Sequence, residues 1–168
     1  MIFSAFKEKS LMARNENVQE VLNDLIRINN DRIEGYERAV DDTKDNDTDL
    51  QSIFHRMADE SKQYASELES EVRRFGGDVP SDTTVSGKIY RLWMDLKSKV
   101  TGNSRKSILE SCEFGEDAAQ KAYEEALKAE TELPSDLRQL IVNQKAALKT
   151  SHDTIKRYRD MHEGRSAE

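Results

Sequence analysis

Residues that break helices or cross-link a chain are scarce in this sequence. Among 168 residues there are 2 prolines, 7 glycines and 1 cysteine. Few prolines and glycines favour long, uninterrupted helices, because both residues are costly inside a helix. One cysteine excludes an internal disulfide and is typical of a protein kept in a reducing compartment, so we expect a cytoplasmic location.

Long apolar runs and a patch of positive charge are also missing. No stretch approaches the roughly 20 apolar residues that a membrane-spanning helix requires. The 26 lysines and arginines are dispersed among 33 acidic residues, which gives a formal net charge of −7. Because nucleic-acid binding depends on concentrated basic residues, we expect neither a nucleic-acid partner nor a membrane span.

The sequence does contain four stretches in which apolar residues recur every three or four positions. This spacing predicts four amphipathic helices. Short polar turns join the first helix to the second and the third to the fourth, so we expect each of these pairs to be antiparallel. The apolar stripes cover residues 18–40, 50–75, 108–127 and 137–158.

A connection of about 25 residues separates the second and third stretches. It contains the amphipathic segment KIYRLWMDLKSKV, residues 88–100, which predicts a short fifth helix with Trp93 on its apolar face. A connection of this length can run along a bundle. We therefore predict an all-α fold, an up-down four-helix bundle of two helix hairpins with a long crossover, which is the ferritin-like layout.

The limits of the periodic pattern predict the domain boundaries. We expect a flexible N-terminal tail over residues 1–14, the bundle domain over residues 15–162 and a disordered C-terminal tail over residues 163–168. Chain ends are commonly poorly ordered. An amphipathic anchor formed by the clustered apolar residues of the first segment is the alternative.

Polar residues interrupt the stripes near the middle of the predicted bundle. Glu116 precedes Tyr123 by seven residues, and Asn29 precedes Tyr36 by the same seven, at an offset of 87 positions. Seven residues are two helical turns, so the members of each pair lie on one helix face. The common offset indicates an internal repeat of two matching hairpins.

Counting along both hairpins from their turns shows which residues share a height with Asn29 and Glu116. On each partner helix, that height falls between two polar residues that lie three positions apart and share a helix face. These are Glu60 and Gln63 on the second helix, and Lys149 and His152 on the fourth. We therefore predict a polar layer in the core of the bundle. Its members are Asn29, Tyr36, Glu60, Gln63, Glu116, Tyr123, Lys149 and His152.

Two interpretations of this layer are open. In the first, Glu116 forms a buried ion pair with Lys149 and a hydrogen bond with Tyr36 or His152, because buried charges are normally paired. In the second, Glu60, Glu116 and His152 bind one divalent ion. Two carboxylates and one imidazole are suitable ligands for iron, manganese or zinc.

Five stretches of the sequence carry a resemblance to a known family. They read NDLIRINNDRIEGYERA, RLWMDLK, ILESCEFGEDAAQKAYEEAL, LP and KTSHDTIKRYRD, within residues 17 to about 161. The chain resembles a family of bacterial ferritin-like four-helix-bundle proteins of unknown function. The resemblance implies the fold and brings no assigned activity.

Ferritin-like di-iron proteins use one Glu from each of two helices and a Glu-x-x-His pair from each of the other two. The resemblance implies that Asn29 and Glu116 stand at the single-carboxylate positions. The paired positions hold Glu60 with Gln63 and Lys149 with His152. Since only Glu60, Glu116 and His152 keep a ligand type, and Lys149 is a cation, charge balance opposes a di-metal site.

Motifs of other enzyme classes do not occur in the sequence, which contains no glycine-rich phosphate loop and no Cys-x-x-Cys pair. We expect no catalytic or cofactor-binding residues. The favoured function is a non-catalytic structural or interaction role with a degenerate di-metal site, in a homo-oligomer whose protein partners the sequence does not specify. The alternative is a metal-binding oxidoreductase or stress-response protein of the ferritin-like class, with iron or another divalent metal bound.

Overall fold

The computed structural model describes residues 2–80 and 104–166. Within these ranges the chain forms four α-helices and no β-strand. The predicted all-α architecture is confirmed, while the predicted fifth helix over residues 88–100 lies outside the described residues. The helices are α1 (Ile2–Asp42), α2 (Thr48–Arg74), α3 (Arg105–Lys128) and α4 (Ser135–Ser166).

The helices pack as two hairpins. α1 lies against α2, α3 lies against α4, and α1 and α3 form the main contact between the two hairpins. At the end of α2, Gly76 has a positive φ of 77°, a conformation that glycine adopts at little cost. The side-chain amide of Gln19 donates a hydrogen bond to the Phe75 carbonyl and so ties this end of α2 to α1.

The other end of the bundle is held by charged contacts. Arg105, the first residue of α3, donates hydrogen bonds to Asp47 at 3.0 Å and to Asp49 at 3.1 Å. Asp47 is the N-cap residue of α2, and Asp49 lies in the first turn of that helix. Ser104 accepts a hydrogen bond from the Ser107 amide at 3.2 Å and caps the N-terminus of α3.

The buried apolar residues form two clusters along the bundle. One cluster contains Leu22, Leu25 and Leu68 with their neighbours on α3 and α4, and the other contains Phe54 and Leu109. Buried polar residues of all four helices lie between these clusters. The core of the bundle is therefore interrupted at mid-height by a hydrophilic layer.

The two expected tails are helical where the structure describes them. α1 begins at Ile2, so residues 2–14 continue it as helix, and their side chains are exposed. α4 continues to Ser166, past the boundary expected at residue 162. That these segments lie outside the bundle domain stays a prediction. Within residues 2–80 and 104–166, none of the helices combines the length and apolarity that crossing a membrane requires.

Candidate functional site: a buried arginine centre

The centre of the hydrophilic layer is an ion pair between Arg32 of α1 and Glu116 of α3. The Arg32 side chain is 1% exposed and that of Glu116 is 0% exposed. Arg32 Nε donates a hydrogen bond to Glu116 Oε1 at 3.1 Å, and Arg32 Nη2 donates a second one to the same oxygen. A charge buried this deeply requires a partner, because transfer of an unpaired ion from water costs several kcal/mol.

Ser61 and Tyr36 complete the surroundings of this pair. Arg32 Nη1 donates a hydrogen bond to Ser61 Oγ on α2. The Tyr36 hydroxyl donates one to Glu116 Oε1, and the Arg32 guanidinium lies 5.2 Å from the Tyr36 ring centroid, a favourable cation–π distance. We call Arg32, Tyr36, Ser61 and Glu116 the arginine centre.

The electrostatics of the arginine centre follow from burial and from the charge of Glu116. Burial opposes the charge on Arg32, but the attraction of Glu116 outweighs it and raises the Arg32 pKa above its usual value. Burial and the nearby Glu116 carboxylate raise the pKa of Tyr36 well above 10. The phenol therefore stays neutral and acts as a hydrogen-bond donor, and the arginine keeps its charge.

A second set of hydrogen bonds continues from Ser61 toward α3 and α4. Ser61 Oγ donates to Asn29 Oδ1 at 3.0 Å, and Asn29 Nδ2 donates to the Tyr123 hydroxyl at 2.9 Å. That hydroxyl donates to Gln144 Oε1 at 2.6 Å, and Gln144 Nε2 donates to the Tyr64 carbonyl at 3.3 Å. We call Asn29, Tyr123 and Gln144 the tyrosine–amide network. Burial raises the pKa of Tyr123, so this hydroxyl also stays protonated.

Together the two sets join all four helices by a continuous chain of hydrogen bonds. One carboxylate oxygen, Glu116 Oε1, accepts three of them, whereas Glu116 Oε2 has no hydrogen-bond partner within the described part of the chain. In these hydrogen bonds, the positive charge that faces Glu116 is that of the Arg32 guanidinium. The arrangement is therefore a charge-neutral centre in which one of the two carboxylate oxygens accepts all of these hydrogen bonds.

A different group of ligand-type side chains lies nearer the surface, where α3 packs against α4. Among the described residues, one group of three offers ligand atoms within 4.8 Å of one another, namely Glu113, Asp117 and His152. His152 Nε2 lies 2.7 Å from Asp117 Oδ1, and His152 Nδ1 lies 3.1 Å from Asp153 Oδ1. Burial lowers the pKa of His152, but the hydrogen bonds to Asp153 and Asp117 outweigh it, so the pKa is raised above 6.5.

Comparison with protein families identifies the family of the chain. Residues 17–129, more than half of the sequence, match a family described as a domain of unknown function, DUF2383. The chain belongs to the DUF2383 family. No curated protein matches it.

The fold of this DUF2383 protein is similar to that of a solved structure of another protein. A mutant of Dps1 from Mycobacterium smegmatis is similar to it with a TM-score of 0.75 and 13% sequence identity. The similarity covers 88% of this chain and 97% of the Dps1 chain. The predictions of a ferritin-like up-down bundle and of a ferritin-like family of unknown function are thereby confirmed.

The structure brings four of the predicted layer residues of the DUF2383 protein together in the core. Asn29, Tyr36, Glu116 and Tyr123 are each 0% exposed and hydrogen-bonded. Glu60 lies at the edge of the layer, where its carboxylate accepts a hydrogen bond from Ser151 at 3.1 Å. These residues place the polar layer at mid-height between the two apolar clusters.

Two of the predicted layer residues, Gln63 and Lys149, lie on the surface instead. Gln63 is exposed, and the Lys149 side chain is 64% exposed and pairs with Asp153 at 2.9 Å. The expected ion pair between Lys149 and Glu116 is therefore corrected, since Arg32 is the partner of Glu116. Lys149 points outward because it follows the buried Leu148, and neighbours on a helix diverge by about 100°.

Within the described part of the chain, the structure does not give Glu116 and His152 common partners. Glu116 belongs to the arginine centre, whereas His152 contacts Asp117 and Asp153. His152 thus belongs with Glu113 and Asp117 rather than with Glu60 and Glu116. Metal binding by Glu60, Glu116 and His152 stays a prediction.

Sequence reasoning missed three residues of the buried layer, namely Arg32, Ser61 and Gln144. Arg32 lies three residues after Asn29 and four before Tyr36, so helical spacing alone puts it on their face. Ser61 and Gln144 lie within the apolar stripes of α2 and α4. A polar residue inside an apolar stripe was the signal that could have found them.

Replacing Lys149 with Met tests the corrected position of this lysine. We expect the free energy of unfolding to change by at most about 0.5 kcal/mol, because the pair with Asp153 is exposed and joins residues four apart on one helix. Urea denaturation followed by circular dichroism measures the change. A loss of several kcal/mol would mean that Lys149 neutralises a buried carboxylate.

Proposed function

We propose that this DUF2383 protein is a non-catalytic ferritin-like bundle with a structural or interaction role and a degenerate metal centre. The observation that carries the proposal is the buried guanidinium of Arg32 against Glu116. In ferritin-like di-iron proteins the carboxylates at the centre of the bundle neutralise metal ions. In this chain an arginine supplies the positive charge at the centre.

Charge balance supports this interpretation. The arginine centre contains one carboxylate, and its charge is already matched by one guanidinium. Two divalent ions would add four positive charges to a buried space without further carboxylates among its four residues. Uncompensated charge in a site removed from water is strongly unfavourable.

An oligomeric state is the second part of the proposal. The first turns of α1 carry large apolar side chains that are exposed, and Phe3 is 90% exposed. Exposed apolar clusters commonly mark interaction surfaces. The members of this cluster are Ile2, Phe3, Phe6, Leu11 and Met12. Sedimentation velocity of the full chain and of a variant lacking residues 2–14 measures the contribution of this segment.

An iron-loading experiment tests the proposal that the arginine centre binds no iron. Protein purified without chelators is incubated with Fe²⁺ in air or with peroxide, desalted and analysed for iron. We expect iron oxidation no faster than in buffer. We also expect the same iron content in the wild type and in the double variant Arg32→Met/Glu116→Leu, which removes both charges of the buried pair together.

The double variant makes the result decisive. Replacing both members of a buried ion pair by apolar residues is commonly neutral or stabilising, so this variant is expected to fold. Iron that binds to the wild type and is absent from the double variant would contradict the proposal. Accelerated oxidation that disappears in the same variant would instead favour a metal-dependent oxidoreductase.

A further inference from the structure

We propose that Glu113, Asp117 and His152 form a surface site for one divalent transition-metal ion, with Zn²⁺ as the representative ligand. Their ligand atoms lie within 4.8 Å of one another. Carboxylate and imidazole donors suit zinc and related divalent ions. This site is separate from the arginine centre, because Glu113, Asp117 and His152 are not among the fully buried residues that contact Arg32.

The helices hold the three donors on one side of the α3–α4 hairpin. Glu113 and Asp117 are four residues apart on α3 and therefore share a face. His152 lies opposite them on α4, which packs directly against α3. Donors on packed helices keep their separation better than donors on loops, so little reorganisation is needed for an ion to bind.

The orientation of the imidazole ring suits the binding of a metal through Nε2. His152 Nδ1 lies 3.1 Å from Asp153 Oδ1, outside the group of three ligands. Metal-binding histidines commonly donate their second ring N–H to a carboxylate in this way, which orients the ring and fixes its tautomer. Nε2 lies 2.7 Å from Asp117 Oδ1, so without a metal it donates a proton to that carboxylate, and a bound ion would take the place of this proton.

One competitor for the ion is present in the site. Arg159 Nη1 forms a hydrogen bond with Glu113 Oε2. Arg159 Nη2 also contacts Asp160 Oδ1 at 3.0 Å, so the guanidinium has an alternative acid when Glu113 turns to an ion. The Asp117 side chain is 63% exposed, which leaves room for water at the remaining coordination positions.

Zinc titration of the chelator-free full-length protein tests the site. Isothermal titration calorimetry with ZnCl₂ is expected to show one equivalent bound and a rise of Tm with zinc, since an ion that binds the folded state stabilises it. His152→Ala and Asp117→Asn are expected to abolish this equivalent. His55→Ala is the matched control, because His55 is an exposed histidine on α2.

Further variants separate this site from the arginine centre. Asp153→Ala, which removes the acceptor for Nδ1, is expected to weaken zinc binding by about 10- to 100-fold. Arg159→Gln is expected to tighten binding, because it frees Glu113 from its competitor. The Arg32→Met/Glu116→Leu double variant is expected to bind zinc as the wild type does, whatever the iron-loading experiment shows.

Three results would overturn the inference. Unchanged zinc binding in His152→Ala would show that the ion lies elsewhere. Equal losses in His152→Ala and His55→Ala would show only adventitious binding to exposed histidines. No heat and no change in Tm in the wild type would mean that the three side chains form only the ion pairs seen without metal.

Discussion

Replacing Arg32 with Met is expected to lower the free energy of unfolding by about 3–5 kcal/mol. The substitution removes the only cation that faces Glu116 in the hydrogen bonds of the arginine centre and leaves a carboxylate with 0% exposure. It also removes the donor to Ser61. Urea denaturation followed by circular dichroism measures the loss.

The double variant Arg32→Met/Glu116→Leu distinguishes charge from packing. If uncompensated charge causes the loss, removal of both partners is expected to restore most of the stability, because similar apolar replacements are often neutral or stabilising. The hydrogen bond from the Tyr36 hydroxyl to Glu116 is also lost, so recovery is expected to be incomplete. A double variant as unstable as Arg32→Met would instead show that side-chain volume dominates at this position.

The height of the hydrophilic layer could be predicted from the sequence, whereas the rotation of its members could not. Counting from the turns puts Asn29 at a height between Glu60 and Gln63 of α2, and the structure pairs it with Ser61. One residue along a helix changes the height by only about 1.5 Å but the direction by about 100°. An error of one or two residues thus changes the level little but exchanges the buried Ser61 for the half-buried Glu60 or the exposed Gln63.

The burial of Arg32 could not be predicted from the sequence for a related reason. Arginine is among the residues most often exposed, so an arginine beside a polar stripe is normally assigned to solvent. The decisive information is the position of Glu116 on another helix, 84 residues away in the sequence. Local periodicity could place Arg32 on the face of Asn29 and Tyr36, but only the packed structure shows which of two cations, Arg32 or Lys149, reaches the carboxylate.

Two adjacent residues of α3 illustrate how one helix presents one carboxylate to the core and another to solvent. Glu116 is fully buried and neutralised by an arginine, whereas Asp117 is mostly exposed and lies beside a histidine. The spacing of ligand types places the buried Glu116 and the half-buried His152 in one predicted metal set, although the two side chains have different partners in the structure. One helix hairpin thus carries carboxylate and imidazole side chains near its surface, while the core carboxylate of the same helix is paired with an arginine.

Replacing Tyr123 with Phe is expected to lower the free energy of unfolding by about 1–3 kcal/mol. The hydroxyl accepts a hydrogen bond from Asn29 and donates one to Gln144 Oε1, and both partners are buried. Asn29 Nδ2 keeps its bond to the Leu25 carbonyl at 2.9 Å, so most of the cost falls on the amide oxygen of Gln144. Urea denaturation of Tyr123→Phe and of Gln144→Leu measures these costs.

The matched control is Tyr158→Phe in α4. Tyr158 is half-buried, and its hydroxyl makes no hydrogen bond within residues 2–80 and 104–166. Its replacement is expected to change the free energy of unfolding by less than about 0.5 kcal/mol. In the double variant Tyr123→Phe/Gln144→Leu the costs are expected to be less than additive, because donor and acceptor leave together. Strict additivity would show that the Tyr123–Gln144 hydrogen bond contributes no coupling energy, and the tyrosine–amide network would then stabilise the bundle through packing alone.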